Sequence, residues 1–424
     1  MKTLISLLDF RYFLGRKQIF LYLFMLIYLV YAMTTGQRDL LLALSIIVFA
    51  ISPLKHSFLM FVFYFLWENV TVFSFGLSGV MIMLVLMVVK IFIQHGGIFK
   101  LRNKLMKKSV TLQTGLLIYI VIMGVISFFV SGSTTGLNFV FKVLATFYAI
   151  SYLYSDKAYD NLIKAILQIL MISVVIATIY GFYHDTSVAR WISGMGGAVN
   201  QLYGTMGTTR MGFFYLTSVT YFLYYVNNVV VKTGGIVLFS LLALMTVSLT
   251  ITLLYFIVIG IYMHSKGSFM TFMIRCGALL LVSALTFPFW SKLDPVQPVI
   301  YRMEYSTDAY EAGDINAATT SRYDIQKEYT SKMNDPIKII FGNARSSMSA
   351  TGLEHNTHNT YLDIVFYFGI IGLVLFTIYQ WNKFLLLRGR SYFYPLLTIK
   401  AMLLIGALTV SVMTSTYFMF LIFI

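Results

Sequence analysis

His358 is the residue of this chain best placed to do chemistry. It stands in GLEHNTHNTYLDIVFYFGIIGLVLF, residues 352–376, where a polar cluster runs directly into an apolar stretch. Thr360 and Asp363 have the spacing of a capping box, which predicts a helix starting here with His358 and Asn359 just ahead of it. A helix N-terminus presents unpaired N–H groups and a partial positive charge that can hold a phosphate or carboxylate. An imidazole beside such an anion titrates near neutrality and can take a proton from an attacking hydroxyl. The plain alternative is a solvated loop histidine. A third reading joins Glu354, His355 and His358 as metal ligands, although two histidines three apart have no matching partner elsewhere in the chain.

Arginines form the second group. Guanidinium pairs bidentately with phosphate oxygens, so Arg190, Arg210, Arg322 and Arg345 together could clamp a diphosphate. Taken singly, each is equally an ordinary loop charge. Lys142 lies within a turn or so of the outer end of an apolar run and Lys400 nearer the inner end of another, where long side chains snorkel to the interface. Glu68 beside Trp67 reads as interfacial. The single cysteine, Cys276, lies in an apolar run and offers no intrachain disulfide.

What must position these residues is a set of apolar helices. Hydrophobic residues make up 59% of the chain and charged residues 11%, with a mean hydropathy of +0.81, far from a soluble domain. Runs long enough to span a core of roughly 30 Å recur along almost the whole chain, at 18–34, 39–54, 57–75, 79–95, 112–131, 138–154, 162–183, 211–230, 234–263, 270–290, 359–380 and 395–424. The expectation is an all-α polytopic membrane protein, one transmembrane domain over 1–424, with the N-terminus cytoplasmic behind Arg11, Arg16 and Lys17.

Basic residues in the short loops (Lys55, the group from Lys100 to Lys108, Lys157, Lys232, Lys266, and Lys383 with Arg388 and Arg390) mark those loops as cytoplasmic. Lys232 and Lys266 flank a single run of about thirty residues, so an even number of crossings must separate them. The run therefore reads as a tight pair of helices turning near Ser248 to Thr252, and 395–424 reads by length as another pair. The total is about fourteen crossings, or twelve if these pairs fail. Placing the charges this way also accounts for most of the formal +15 through the anionic inner leaflet, so the excess is no nucleic-acid footprint.

Two outer loops are long, 184–210 and 291–358. The first is glycine-rich and carries Arg190 and Arg210, the latter where the next helix begins. The second holds nine of the sixteen acidic residues, most of them early, and turns basic from Arg322 to Arg345, so its second half could face an anion. Its first half, 294–318, lacks an apolar period and reads as a flap. Residues 320–333 read as a short amphipathic helix with Ile325 and Tyr329 on one side, capped by Thr320 or Ser321 with Asp324, and stopped by Pro336.

The stretch from Thr320 to Phe376 resembles the signature region of the bacterial O-antigen polymerase and O-antigen ligase superfamily. The family pattern reads here as Ser321-Arg322, Pro336, Phe341-Gly342, His358-Asn359-Thr360-Tyr361-Leu362, Gly369-Ile370-Ile371-Gly372 and Phe376, with Arg210 and Met211-Gly212-Phe213 resembling the earlier outer loop. Gln326 stands where a tryptophan often follows the arginine, and Asn343-Ala344 replaces a frequent second glycine. The motif covers under a sixth of the chain.

The resemblance implies a GT-C-like, metal-independent membrane glycosyltransferase without a cofactor. It would use a polyprenyl-diphosphate-linked oligosaccharide donor at the outer face of the bacterial cytoplasmic membrane. Arg210 and Arg322, with Arg345 and Arg190, would neutralise the diphosphate. His358 would activate the acceptor hydroxyl, with Asn359 orienting it or the sugar, and 291–358 would be the catalytic loop. The implied partners are the acceptor glycan and membrane lipid, beside a flippase and a chain-length regulator. Polymerase and ligase differ only in the acceptor, and polymerase is preferred. A lipid-linked oligosaccharide flippase is the reading from another class, and it would show paired halves and polar residues near mid-membrane.

Overall fold

The computed structural model describes residues 38–64, 72–73, 78–95, 104–131, 135–155, 159–184, 208–246, 248–292, 297–319, 322–344, 351–353 and 357–409. The expected runs at 18–34 and beyond residue 409 lie outside these, as do Glu68, Lys157, Arg190 and Arg345. Among the described residues the regular structure is helical, apart from one isolated antiparallel bridge between Val72 and Ser78. Two stretches, Phe269–Phe289 and Thr360–Leu385, are long and apolar enough to cross a membrane, and the other apolar helices have stretches of 10–17 residues.

In chain order the helices are α1 (Arg38–Ile51), α2 (Leu54–Phe63), α3 (Gly79–His95), α4 (Lys104–Ser131), α5 (Thr135–Ser155), α6 (Tyr159–His184), α7 (Thr208–Tyr225), α8 (Val229–Leu244), α9 (Leu249–Ser265) and α10 (Phe269–Trp290). They continue with α11 (Gln297–Glu311), α12 (Ile315–Ala318), α13 (Arg322–Ser331), α14 (Pro336–Phe341), α15 (Thr360–Leu387) and α16 (Phe393–Gly406). Two compact units result: Met1–Gly97 with Ala158–Tyr301, and Ile98–Lys157 with Arg302–Ile424.

The first unit is built around α7, which packs against α6, α8 and α9. Every residue from Met211 to Leu223 is buried, so each hydroxyl among them needs a partner; an unmet one costs about 1–3 kcal/mol. Thr217, Ser218 and Thr220 donate to the carbonyls four residues back at 2.8, 3.0 and 2.9 Å. Tyr215 shares a 3.1 Å hydrogen bond with Thr178 of α6, and Gln168 of α6 donates to Tyr221 at 2.8 Å.

The thirty-residue apolar run divides as its flanking charges require. α8 ends at Leu244 and α9 begins at Leu249, so the break precedes the turn expected at Ser248 to Thr252 and meets it only at Ser248. Lys232 donates to Tyr262 Oη at 3.0 Å, and the ammoniums of Lys232 and Lys266 lie 5.1 and 5.7 Å from the Tyr262 ring centre. Both lysines are therefore at one end of a helical hairpin. Of the run expected at 57–75, α2 covers the part to Phe63, and most of the remainder lies outside the described residues.

Lys90 of α3 grips the junction of α1 and α2. Its ammonium donates to Phe49 O (2.9 Å), Ala50 O (3.0 Å), Ser52 O and Ser57 Oγ (2.7 Å), satisfying carbonyls that the end of α1 leaves without an intrahelical partner.

In the second unit α15 packs against α4 and α14, and α4 against α5. The outer-loop helix expected at 320–333 is α13, with Tyr329 wholly buried and Ile325 half-buried. Two expectations for this loop are corrected. Pro336 does not stop α13, which has already ended at Ser331; it opens α14, where its fixed φ suits the first helical position and Asp335 Oδ1 accepts from Ile337 N at 3.0 Å. The expected flap, 294–318, is largely helical, as α11 and α12. It lacks an apolar period because α11 is mostly exposed, with Val299 the buried side chain among its described residues.

Lys90→Met should lower stability by about 2–3 kcal/mol by orphaning the carbonyls at the end of α1, seen as a fall of several degrees in the melting temperature of the solubilised protein. An unchanged melt would show that the ammonium contributes nothing there.

Candidate functional site

His358 sits at the tip of a tight turn closed by its neighbours. Thr357 is fully buried; its hydroxyl lies 2.9 Å from Asp363 Oδ1 and 3.0 Å from Asn359 O, and it accepts from Asn359 N at 3.2 Å. Between these two anchored residues His358 takes φ 52°, a left-handed conformation that costs a non-glycine residue about 1 kcal/mol or more. The surrounding bonds hold it there. The imidazole is half-exposed and carried on a fixed backbone, a suitable position for a proton acceptor.

The capping residue is Asn359, one position earlier than the Thr360–Asp363 box predicted. Asn359 Oδ1 accepts from Tyr361 N and Leu362 N at 3.0 and 3.1 Å. Asp363 N donates to Asn359 O at 3.0 Å, and Thr360 N donates to Ala407 O at 2.8 Å. All four leading amides of α15 therefore have protein partners. The expectation that this N-terminus offers open N–H groups to an anion is overturned, because the Asn359 side chain and the end of α16 reach those amides first. Asn359 spends its amide oxygen on the helix, and Asp363 spends a carboxylate oxygen on Thr357. Tyr361 Oη, donating to Leu404 O at 2.6 Å, fixes α15 to α16 a second time.

α15 is interrupted at Gly369, which has φ 68° and ψ −174°. An interrupted helix leaves carbonyls without amides, and α14 supplies the missing partners. Asn343 N donates to Phe366 O at 2.7 Å and Ala344 N to Tyr367 O at 3.2 Å. Tyr119 Oη of α4 lies within hydrogen-bond reach of Phe368 O (2.7 Å) and Phe341 O (3.0 Å). The two backbones touch at a pair of glycines. A Cβ on Gly369 would overlap Ile340 O, and one on Gly342, itself at φ 88°, would lie 2.6 Å from Gly369 N. Gly372 keeps its side clear for Phe368, which the break swings over it.

The N-terminal part of α15 also receives α13. Tyr329 meets Phe366 edge to face, with centroids 5.5 Å apart, a favoured aromatic geometry. Arg322 lies two turns ahead of Tyr329 on the same helical stripe and is half-buried. Burial, and secondly the positive charge of Arg302, lower its pKa from the ordinary arginine value; among the described residues no carboxylate is paired with it. A guanidinium held among low-dielectric surroundings near a second one is poised to receive an anion. Sequence reasoning passed over Arg302, since α11 carries no pattern around it; the sole cue was its place in the outer loop.

The second unit thus ties together the elements that bear His358, Asn359 and Arg322. Arg210 is the third residue of α7, in the first unit. Arg190 and Arg345 lie outside the described residues, as do Glu354 and His355 of the metal-cluster reading and the Thr320 and Ser321 caps. Lys142 stands two turns into α5, Lys400 is buried in α16 with its ammonium 3.3 Å from Gln380 Oε1, and Cys276 is partly exposed on α10.

Gly369→Ala and Gly342→Ala should each destabilise by about 3 kcal/mol or more, overlap adding to left-handed strain. Gly389→Ala, with φ 84° but open space around it, should cost about 1–2 kcal/mol; equal melting temperatures for all three would show that the interlock is not tight. Arg322→Met should raise the melting temperature of the substrate-free protein by about 1–3 °C, because it removes a half-buried charge repelled by Arg302. A fall of several degrees would assign Arg322 a structural partner.

Comparison of the chain with protein-family models and with curated protein sequences finds no match.

Proposed function

We propose that this protein is a polytopic integral membrane glycosyltransferase, a polysaccharide polymerase. It moves a glycan from a polyprenyl-diphosphate donor to a lipid-linked repeat-unit acceptor at the outer face of the bacterial cytoplasmic membrane. The observation that carries this reading is the pre-set His358 at the start of a broken helix whose N-terminal part also receives the arginine-bearing α13. The resemblance of Arg322, Phe341-Gly342, His358-Asn359 and Gly369-x-x-Gly372 to the O-antigen polymerase and ligase signature supports it.

Membrane insertion is supported by α10. Its span Phe269–Phe289 is 21 residues long, and none of its most apolar window is buried by protein. An apolar helix that exposed needs lipid around it. The remaining apolar helices, with the basic ends of the α8–α9 hairpin, fit about twelve to fourteen crossings.

In the proposed reaction the donor diphosphate rests on Arg322 and Arg302, with Arg345 as a further cationic candidate. Their charge stabilises the negative charge that grows on the diphosphate as the glycosidic bond breaks. His358 takes the proton of the acceptor hydroxyl as that oxygen attacks the anomeric carbon, and the lipid diphosphate leaves. Asn359 acts by capping α15 and so holding the turn that presents His358. No metal or cofactor is called for. A ligase would run the same steps on a different acceptor.

One observation favours a transporter instead: α15 is discontinuous and Lys383, Lys400 and Gln380 are buried in α15 and α16, features of substrate pathways. Against it, the break is filled by α14 and its carbonyls are already bonded, which leaves no open ion site at the interruption.

Purified protein in lipid, supplied with a polyprenyl-diphosphate repeat unit and a chelator, should produce a ladder of longer lipid-linked products. His358→Ala should lower the rate by about 10²–10⁴, Arg322→Ala by about 10²–10³ and Arg302→Ala by about tenfold. Lipid moved across the bilayer with no ladder would replace the enzyme with a flippase.

A further inference from the structure

The first unit gathers cations at one end of α8, α9 and α10 that the proposed chemistry does not use. Lys232 and Lys266 both lie over the Tyr262 ring. The chain then turns through Gly267 and Ser268 into α10, and Arg275 reaches back to donate to Met263 O at 3.3 Å. Between Asp185 and Asp294 the sequence has no acidic residue, and among the described residues no carboxylate pairs with any of the three cations. Lys232 and Lys266 share one aromatic ring with no carboxylate among the described residues to balance them, and an anion there would supply the missing countercharge.

The surroundings indicate which anion. Val229 and Val230 beside Lys232 are 75% and 81% exposed, and Phe269 and Met270 beside Lys266 are 68% and 70% exposed. Rings cluster at the same level: Tyr224 with Tyr262 at 5.3 Å, His264 with Phe272 at 5.7 Å and Phe269 with Phe272 at 6.3 Å. Cations and amphipathic rings bordering exposed aliphatic side chains are the chemistry of the headgroup level of a bilayer. A free phosphate would meet the cations and gain nothing from the apolar flanks. A phospholipid meets both.

We propose that Lys232 and Lys266, both over the Tyr262 ring, together with Arg275 bonded to the adjoining end of α9, form a headgroup site for an anionic phospholipid whose acyl chains lie along Met270 and Ile274 of α10. This rests on the membrane reading above and is independent of the glycosyl transfer. Lys232 spends part of its donor capacity on Leu223 O (2.7 Å) and Tyr262 Oη, which fixes the ammonium in place, and Lys266 is exposed and open to the phosphate.

The full chain in detergent, given equal amounts of phosphatidylglycerol and phosphatidylcholine, should retain phosphatidylglycerol preferentially in native mass spectra. Each cation at the headgroup level should contribute about fivefold, so the combined K232Q, K266Q, R275Q variant should lose the preference by tenfold or more. Lys232→Arg with Lys266→Arg should keep it, and so should K327Q with K332Q, which removes the same kind of charge from α13 and the residue that follows it. A preference that survives in the triple variant, or is absent from the wild type, overturns the site. Displacement of the lipid by millimolar inorganic phosphate would reassign the cluster to a soluble anion and overturn the lipid assignment. Protein that enters phosphatidylcholine bilayers without preferring phosphatidylglycerol defeats this inference alone, whereas protein that enters no bilayer defeats the membrane reading with it.

Discussion

The backbone at Phe341–Ala344 lies against the interrupted stretch of α15 at Phe366–Gly369, close enough that neither Gly342 nor Gly369 has room for a methyl group. Breaking a helix costs hydrogen bonds unless something replaces them. Here the replacements come from Asn343 N, Ala344 N and the Tyr119 hydroxyl, so the end of α14 is as much a part of α15 as its own amides are. The loop that carries Arg322 is thereby anchored near its C-terminal end, and Tyr329 against Phe366 anchors it again. Without the glycine contact, α13 and α14 would have little to hold them: most of their side chains are exposed.

That arrangement divides the work between backbone and side chains. The leading amides of α15 serve α15 itself, through Asn359 and Ala407, and are not open to a ligand. His358 keeps its unusual backbone only while Thr357 and Asn359 remain bonded on either side of it. Its geometry is thus inherited from residues that do no chemistry.

Much of the helical layout was legible from apolar runs, because a helix that buries or exposes a continuous apolar surface must spell it in sequence. The α8–α9 hairpin was legible for a different reason: Lys232 and Lys266 had to end on one side. The misreadings concern parts whose stability is not apolar. α11 escaped notice because its exposed residues carry no period, and Pro336 was read as a terminator when Asp335 made it a helix start. The cap was displaced by one residue because Asn359 and Thr360 are both good caps, and the choice fell to whichever backbone met Ala407.

Composition, spacing and charge are local properties, and they sufficed for the helical character, the α8–α9 hairpin and the short helix at Arg322–Ser331. The tertiary structure alone decided that Gly342 and Gly369 meet, that Thr357 and Asp363 brace the turn at His358, that Arg302 lies within electrostatic reach of Arg322, and that Lys90 closes α1. Each of these joins residues far apart in the chain, or depends on which of several equal local partners is actually in reach, and no periodicity records that.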